Sequence, residues 1–154
     1  MNRHRILYSI TKWIKNTLSQ EYPEFNNLKA CPFAGKALDD GKILIKTGSL
    51  QPKIDLELLE HKEVVIYVFD PKSITAVELF EMADSVNKQC PEIVALEDHP
   101  DEIERVGDVV LNQGKYALLL IQRRDKLEQA RKFLDSKGYY QNWSDEYKKD
   151  VLNR

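Results

Sequence analysis

A cysteine next to a proline is the first candidate for chemistry in this chain. Cys31 lies in an Ala-Cys-Pro-Phe-Ala segment, residues 30–34, and proline favours the first position of a helix. The free N–H groups and the positive dipole end of a helix start lower the pKa of a thiol. Cys31 is therefore a candidate nucleophile, although free cysteines are often buried as small apolar residues. Cys90 closes a predicted helix, where the dipole disfavours a thiolate, and we interpret it as structural.

A histidine among carboxylates is the second candidate. His99 lies in the segment Leu96–Glu102, which has four carboxylates and follows a predicted strand, where sites collect in α/β sheets. The imidazole could act as a general base oriented by Asp98, or could bind a metal together with the carboxylates. No second histidine or cysteine has the spacing of a metal ligand, so we predict no metal site. The alternative is a solvated acidic turn.

Two further polar residues are candidates for binding. Asn112 opens an Asn-Gln-Gly turn, and Arg123 follows a predicted strand, where its guanidinium could meet an anion or face solvent. Glycine-rich phosphate loops, the serine-hydrolase elbow and His-Glu-x-x-His are all missing from the sequence. No cofactor is therefore indicated. The aromatic residues of segment 138–143 could line a pocket, form a partner surface or close an edge of the core.

Hydrophobic periodicity and capping signals predict the elements that position these residues. The run Val64–Phe69 has the β-branched character of a central strand, and Thr75 and Glu78 have capping-box spacing. From residue 64 to 138 the order is strand, helix, strand, strand, helix, typical of a split β-α-β unit. We predict a single α+β domain, residues 1–154, with a ferredoxin-like sandwich, a mixed sheet covered by helices and an N-terminal amphipathic helix. The predicted helices span 5–19, 31–40, 54–61, 73–90 and 125–138, with a last one from 144, and the predicted strands span 42–47, 64–69, 93–96 and 116–122.

Composition restricts the classes of partner. The chain has 23 Lys and Arg against 25 Asp and Glu, a net charge of −2, and so lacks a broad basic field for nucleic acid. Its apolar runs are far shorter than the ~20 residues of a membrane span. The N-terminal helix has an apolar stripe that we assign to the core rather than to a membrane surface. We therefore predict a cytoplasmic protein that binds a small molecule or a partner protein, and neither nucleic acid nor a membrane.

The order of these motifs resembles a family of small bacterial proteins of unknown function. That family has a Phe before its His-Pro element and an Asn-Arg-Ser-Pro-Tyr-Pro turn, whereas this chain has Asp98 and the turn 112–117, Asn-Gln-Gly-Lys-Tyr-Ala. The resemblance implies no established activity, but it strengthens Cys31 and His99 as candidates. It rests on Trp13, Cys31-Pro32-Phe33-Ala34, Val64–Phe69, Leu79–Asp84, His99-Pro100, Asn112 and Leu118–Gln122.

Two hypotheses of function follow. In the first, one pocket contains Cys31 as nucleophile and His99 as base, oriented by Asp98, with Asn112 and Arg123 binding a small polar molecule. In the second, the chain is a non-catalytic accessory or protein-interaction domain that uses an exposed sheet edge and the aromatic C-terminal segment. An exposed, low-pKa thiol near the imidazole favours the enzyme. A buried thiol distant from the imidazole favours the interaction domain.

Overall fold

A four-stranded mixed sheet with six surrounding α-helices forms the centre of the computed structural model, which describes residues 1–154. No helix has both the length and the apolar composition needed to cross a bilayer. The helices are α1 (Arg3–Trp13, continued by a π-helical turn, Ile14–Leu18), α2 (Ala34–Asp39), α3 (Leu58–His61), α4 (Ala76–Gln89), α5 (Arg124–Ser136) and α6 (Asp145–Leu152). The strands are β1 (Glu21–Tyr22), β2 (Leu28–Lys29), β3 (Ile43–Thr47), β4 (Val64–Phe69), β5 (Ile93–Asp98), β6 (Arg105–Val106), β7 (Val109–Val110) and β8 (Ala117–Arg123).

The order of strands in the main sheet is β3-β4-β8-β5. β3 runs parallel to β4, whereas β8 is antiparallel to both β4 and β5. The two strands with the longest apolar runs, β4 and β8, therefore lie in the middle, as the sequence predicts, because each is covered on both faces. β3 and β5 become the two edges of the sheet. The short pairs β1–β2 and β6–β7 form separate two-stranded ribbons.

Two apolar layers cover the faces of the sheet. On one face Leu79 and Ala83 of α4 pack with residues of the central strands. The predicted capping box starts this helix, because the Thr75 hydroxyl accepts the Glu78 N–H at 3.2 Å and the Glu78 carboxylate accepts the Thr75 N–H at 2.8 Å. On the other face the apolar stripe of α1 and its π-helical turn packs against β4 and β8. The prediction that the N-terminal helix packs on its own core is confirmed.

The aromatic residues of the C-terminal segment belong to a third apolar cluster. Tyr139 and Tyr140 are buried, and the Tyr139 ring lies 5.1 Å from that of Phe25, between centroids. The C-terminal aromatic segment begins at the end of α5, where Gly138 has φ 73° and the Tyr139 N–H donates to the Leu134 carbonyl at 3.1 Å. This glycine-terminated helix end is the predicted one. Of the three alternatives for the aromatic segment, the burial of Tyr139 and Tyr140 favours an edge of the core, because it takes these rings out of solvent.

Candidate functional site

A buried carboxylate lies at the end of β5. Asp98 is 6% exposed, and its two carboxylate oxygens accept the side-chain N–H of Asn112 and the backbone N–H of Gln113, each at 2.8 Å. Burial raises the pKa of Asp98, and the two hydrogen bonds act in the opposite direction. The structure therefore brings together two of the predicted site residues, but as partners of each other.

The amide of Asn112 closes the loop between β5 and β8. Its Nδ2 also lies 3.2 Å from the His99 carbonyl and 2.9 Å from the Glu102 carbonyl, and its Oδ1 accepts the Glu104 N–H at 2.7 Å. An amide group has two N–H donors and one acceptor oxygen, so these contacts use its hydrogen-bonding capacity. Asn112 acts as an internal connector, and no donor remains for a ligand.

The imidazole of His99 is fully engaged by the backbone. It is 2% exposed, its Nε2 lies 2.9 Å from the Ile74 carbonyl, and its Nδ1 accepts the Asp101 N–H at 3.1 Å. These partners require the neutral tautomer with the proton on Nε2. Neither nitrogen is available for proton transfer. The predicted role of Asp98 as the residue that orients His99 is also wrong, since the carboxylate bonds the neighbouring turn instead.

The thiol of Cys31 does not lie in the predicted environment. Helix α2 begins at Ala34, three residues later than predicted, and Phe33 is its N-cap. Burial raises the pKa of Cys31, whereas the N–H groups of Phe33 and Ala34 oppose the increase. Cys31 is half-buried, and the effect of burial on the pKa of the thiol outweighs that of the two N–H groups. The predicted low pKa is therefore wrong in direction.

The hydrogen bonds of Cys31 and His99 lead to residues on different faces of the sheet. The Cys31 N–H donates to the Leu18 carbonyl at 2.7 Å, and Leu18 packs in the layer of α1. His99 bonds to Ile74, which packs in the layer of α4, on the other face of the sheet. No hydrogen bond joins the two residues, and these contacts give no support for the predicted shared pocket.

Arg123 lies away from the other candidates. It pairs with Ile93 at the start of β5, whereas Asp98 pairs with Leu118, five positions along the strand. At the rise of a strand these positions are roughly 17 Å apart. The guanidinium binds the carboxylate of Asp125, with Nη2 at 2.6 Å and Nε at 3.1 Å. The structure therefore places Arg123 at the opposite end of β5 and β8 from Asp98 and Asn112.

The C-terminal helix partly covers a second carboxylate, the half-buried Glu104, which sequence reasoning missed. Burial, together with the charges of Asp98 and Glu97, raises the pKa of Glu104 to about 7. The Tyr147 hydroxyl of α6 donates to Glu104 at 3.2 Å, and Arg154 pairs with Glu97. The structure contains no group of three His, Cys, Asp or Glu residues arranged to hold a metal ion. These contacts connect α6 to the β5–β8 loop.

Side chains close the outer edge of β5 at Ile93 and Ala95, two of its three outward positions. Asn87 of α4 accepts the Ala95 N–H at 2.7 Å and donates to the Ala95 carbonyl at 2.9 Å. Arg124 donates to the Ile93 carbonyl at 3.1 Å, and the Ile93 N–H reaches the Cys90 carbonyl at 3.2 Å. The outward N–H and C=O groups at both positions are thus satisfied within the chain. Another strand cannot pair here without displacing them.

The outer edge of β3 is open. The Lys42 carbonyl accepts the Val64 N–H of β4, so alternate residues 42, 44 and 46 direct their backbone groups towards β4. The N–H and C=O groups of Ile43, Ile45 and Thr47 point the other way. No strand pairs with them, and no side chain or loop hydrogen-bonds them. The two edges of one sheet therefore differ in their capacity to accept another chain.

A cationic cleft adjoins the open edge. It has a volume of about 600 Å³ and lies where β3 and β4 end. Arg3, Lys46 and Lys53 are among its lining residues, which include no Asp or Glu. None of these three cations forms an ion pair in the structure. Lys42 and Lys46 flank the apolar residues 43–45 of β3, but this pattern does not reveal which edge of a sheet stays free.

Comparisons with known proteins identify no relative. No protein family model, curated protein or solved structure matches this chain.

The Cys31 thiol should react slowly in the folded protein. In a Cys90→Ser variant, where Cys31 is the remaining thiol, we expect iodoacetamide to react at least about tenfold more slowly in native buffer at pH 8 than in urea. The physical reason is that burial raises the pKa and restricts access. Mass spectrometry of the alkylated chain gives both rates. A native rate equal to the unfolded rate would restore Cys31 as a candidate nucleophile.

Glu104 should make the fold less stable as the pH rises. Its folded pKa is raised to about 7 from 4.5, so its contribution is fully favourable below pH 4.5 and is lost between pH 4.5 and 7. Glu104→Gln removes this ionisation while retaining an acceptor oxygen for Tyr147. As the pH rises from 4.5 to 8, we expect the unfolding free energy of the native chain to fall by about 2 kcal/mol relative to that of the variant. Urea denaturation at each pH measures this difference. Glu102→Gln, at an exposed side chain, is the matched control, and equal pH profiles for all three proteins would contradict the assignment.

Proposed function

We propose that this chain is a small cytoplasmic, non-catalytic interaction domain that binds an extended segment of a partner protein as an added strand on β3. The single observation that supports this function is the contrast between the two sheet edges. Bonds within the chain satisfy the outward backbone groups of β5 at Ile93 and Ala95, whereas none of the outward groups of β3 has a partner. Strand addition uses such unpaired edge groups as its main source of affinity.

β3 offers a recognition surface of defined length. Its five residues present outward N–H and C=O groups at Ile43, Ile45 and Thr47, enough for a peptide of about five residues to pair along it. Ile43 and Ile45 already pack against the α1 layer, which holds the strand in place before a partner arrives. A preformed edge lowers the ordering cost of binding, which falls mainly on the incoming peptide.

The contacts of the predicted catalytic residues favour this function over an enzyme. A general base needs a free nitrogen, but both nitrogens of His99 are bonded to the backbone. A nucleophilic thiol needs a lowered pKa, but burial raises that of Cys31. Asn112 and Arg123 are occupied by other residues of the chain. The contacts of His99, Asn112 and Arg123 are therefore structural, and the thiol of Cys31 lacks the activation that a nucleophile needs.

We also propose that the fold is a variant of the ferredoxin-like group. The supporting feature is the unit β4-α4-β5-β8-α5, in which β4 and β5 are parallel and β8 lies between them. In this variant an N-terminal strand, β3, runs parallel to β4 at the edge. Membership in the small bacterial family that the sequence resembles is part of the same proposal, and its His-Pro element then has a structural role.

The test is an NMR titration with a neutral, end-capped peptide, Ser-Thr-Val-Thr-Ile-Thr-Ser. We expect its addition to shift backbone amide signals of residues 43–47 and to leave residues 93–98 unaffected. Two isomers serve as matched controls: one N-methylated at Val and Ile, the other at the two Thr residues that flank Ile. Only the isomer whose methyl groups face β3 should lose binding, by at least about tenfold, because it cannot donate hydrogen bonds. Shifts centred on β5, or equal binding of both isomers, would contradict strand addition.

A further inference from the structure

The cleft at the end of β3 indicates which peptides the edge prefers. Arg3 comes from the start of α1, Lys46 from β3 and Lys53 from the loop that follows it, so three separate segments contribute cations. The whole chain has a net charge of −2, so this concentration of positive charge is local rather than a general property of the surface. Focused charge of this kind selects partners of the opposite sign.

The carboxylates that follow the lining segments, Asp55 and Asp70, form no ion pair with the three cations, although the charge of Asp55 reaches Tyr67 of the lining. Asp55 accepts the Glu57 N–H at 3.0 Å, and Asp70 accepts the Lys72 N–H at 2.9 Å. Both side chains therefore cap local turns of the backbone. The nearest aromatic ring is that of Tyr67, whose centroid lies 5.8 Å from the Lys46 ammonium and whose hydroxyl donates to the Lys53 carbonyl at 3.1 Å. The three cations keep their charge available to a ligand.

The cleft and the open edge are continuous. Lys46 and Thr47 belong both to β3 and to the cleft lining, so a peptide paired along β3 reaches the cleft when it passes Thr47. At Gly48, with φ 134°, the chain ends the strand as the sequence predicts and turns away. A peptide that extends two or three residues beyond the paired stretch would therefore place those residues among the cations.

We propose that the partner of this chain is a protein segment that pairs with β3 and carries Asp or Glu side chains at the end that meets Arg3, Lys46 and Lys53. This inference rests on the proposed function, because it assumes that β3 accepts a strand. The backbone of β3 would supply pairing that is independent of sequence. The cleft would supply the preference for acidic residues and the orientation of the peptide.

The experiment compares end-capped peptides that share the neutral core Ser-Thr-Val-Thr-Ile-Thr-Ser and differ in an added tail. The tails are Glu-Glu-Glu, its isostere Gln-Gln-Gln, and Lys-Lys-Lys, each placed at either end of the core. In 50 mM salt we expect one of the two Glu peptides to bind about tenfold more tightly than its Gln counterpart, and the Lys peptide to bind more weakly. At 0.5 M salt the preference should disappear, because exposed charges are screened over a few ångströms.

Variants of the chain locate the preference. Arg3→Gln with Lys53→Gln, both in the cleft lining but outside β3, should abolish the advantage of the Glu peptide while leaving affinity for the Gln peptide unchanged. Lys12→Gln with Lys15→Gln removes two exposed lysines outside the cleft and is the matched control, which should keep the advantage. Equal affinity for Glu and Gln peptides would overturn this inference and leave strand addition intact. Failure of every peptide to bind would overturn the proposed function as well.

A different anion is the remaining outcome. Inorganic phosphate and a short single-stranded oligonucleotide, dT, are titrated in the same buffer. If either binds more tightly than the Glu peptide and shifts the same amide signals, the cleft is a phosphate site and the acidic-peptide proposal is wrong. Weaker binding of both, together with the loss of peptide preference in the double variant, would support it.

Discussion

The backbone of the main sheet has polar groups to satisfy at two edges, and the chain supplies partners at two positions of one edge and at none of the other. Because β8 lies between β4 and β5, the strands left at the edges are β5 and β3. At β5, the Asn87 side chain takes the place of a neighbouring strand, because its amide accepts the Ala95 N–H and donates to the Ala95 carbonyl. At β3, water or a partner chain must supply hydrogen bonds to the outward N–H and C=O groups. An unpaired edge is a risk for aggregation, and lysines at positions 42 and 46 limit that risk in the free protein.

Three residues that the sequence marks as candidates for catalysis or binding make structural hydrogen bonds instead. Asp98, Asn112 and His99 form a buried polar network that joins the loop before β8 to β5 and α4. A buried carboxylate is tolerated only when its hydrogen bonds are made, which explains why the amide and a backbone N–H converge on it. Glu104 and Tyr147 extend the network to α6. Polar residues at strand ends therefore indicate structural connections in this fold as readily as catalysis.

Local signals predicted the elements well and the site poorly. The β-branched run of β4, the capping box of Thr75 and Glu78, and the glycine at 138 each act through neighbours in sequence, so they were readable without a structure. The pKa of Cys31 depends on burial by distant segments such as the one containing Tyr139, and the dipole argument considers only its own helix. The separation of Arg123 from Asp98 and the free edge of β3 depend on strand order, which no local pattern specifies.

The most direct test of the account is amide hydrogen exchange in the free protein, followed by NMR. We expect the Ala95 amide, bonded to the Asn87 side chain, to exchange about 100-fold more slowly than the Ile45 amide, which has no partner. Along β3 the amides of Leu44 and Lys46 should be protected, and those of Ile43, Ile45 and Thr47 should exchange rapidly. Equal protection of Ala95 and Ile45, or uniform protection along β3, would show that the edge is already paired and would contradict the account.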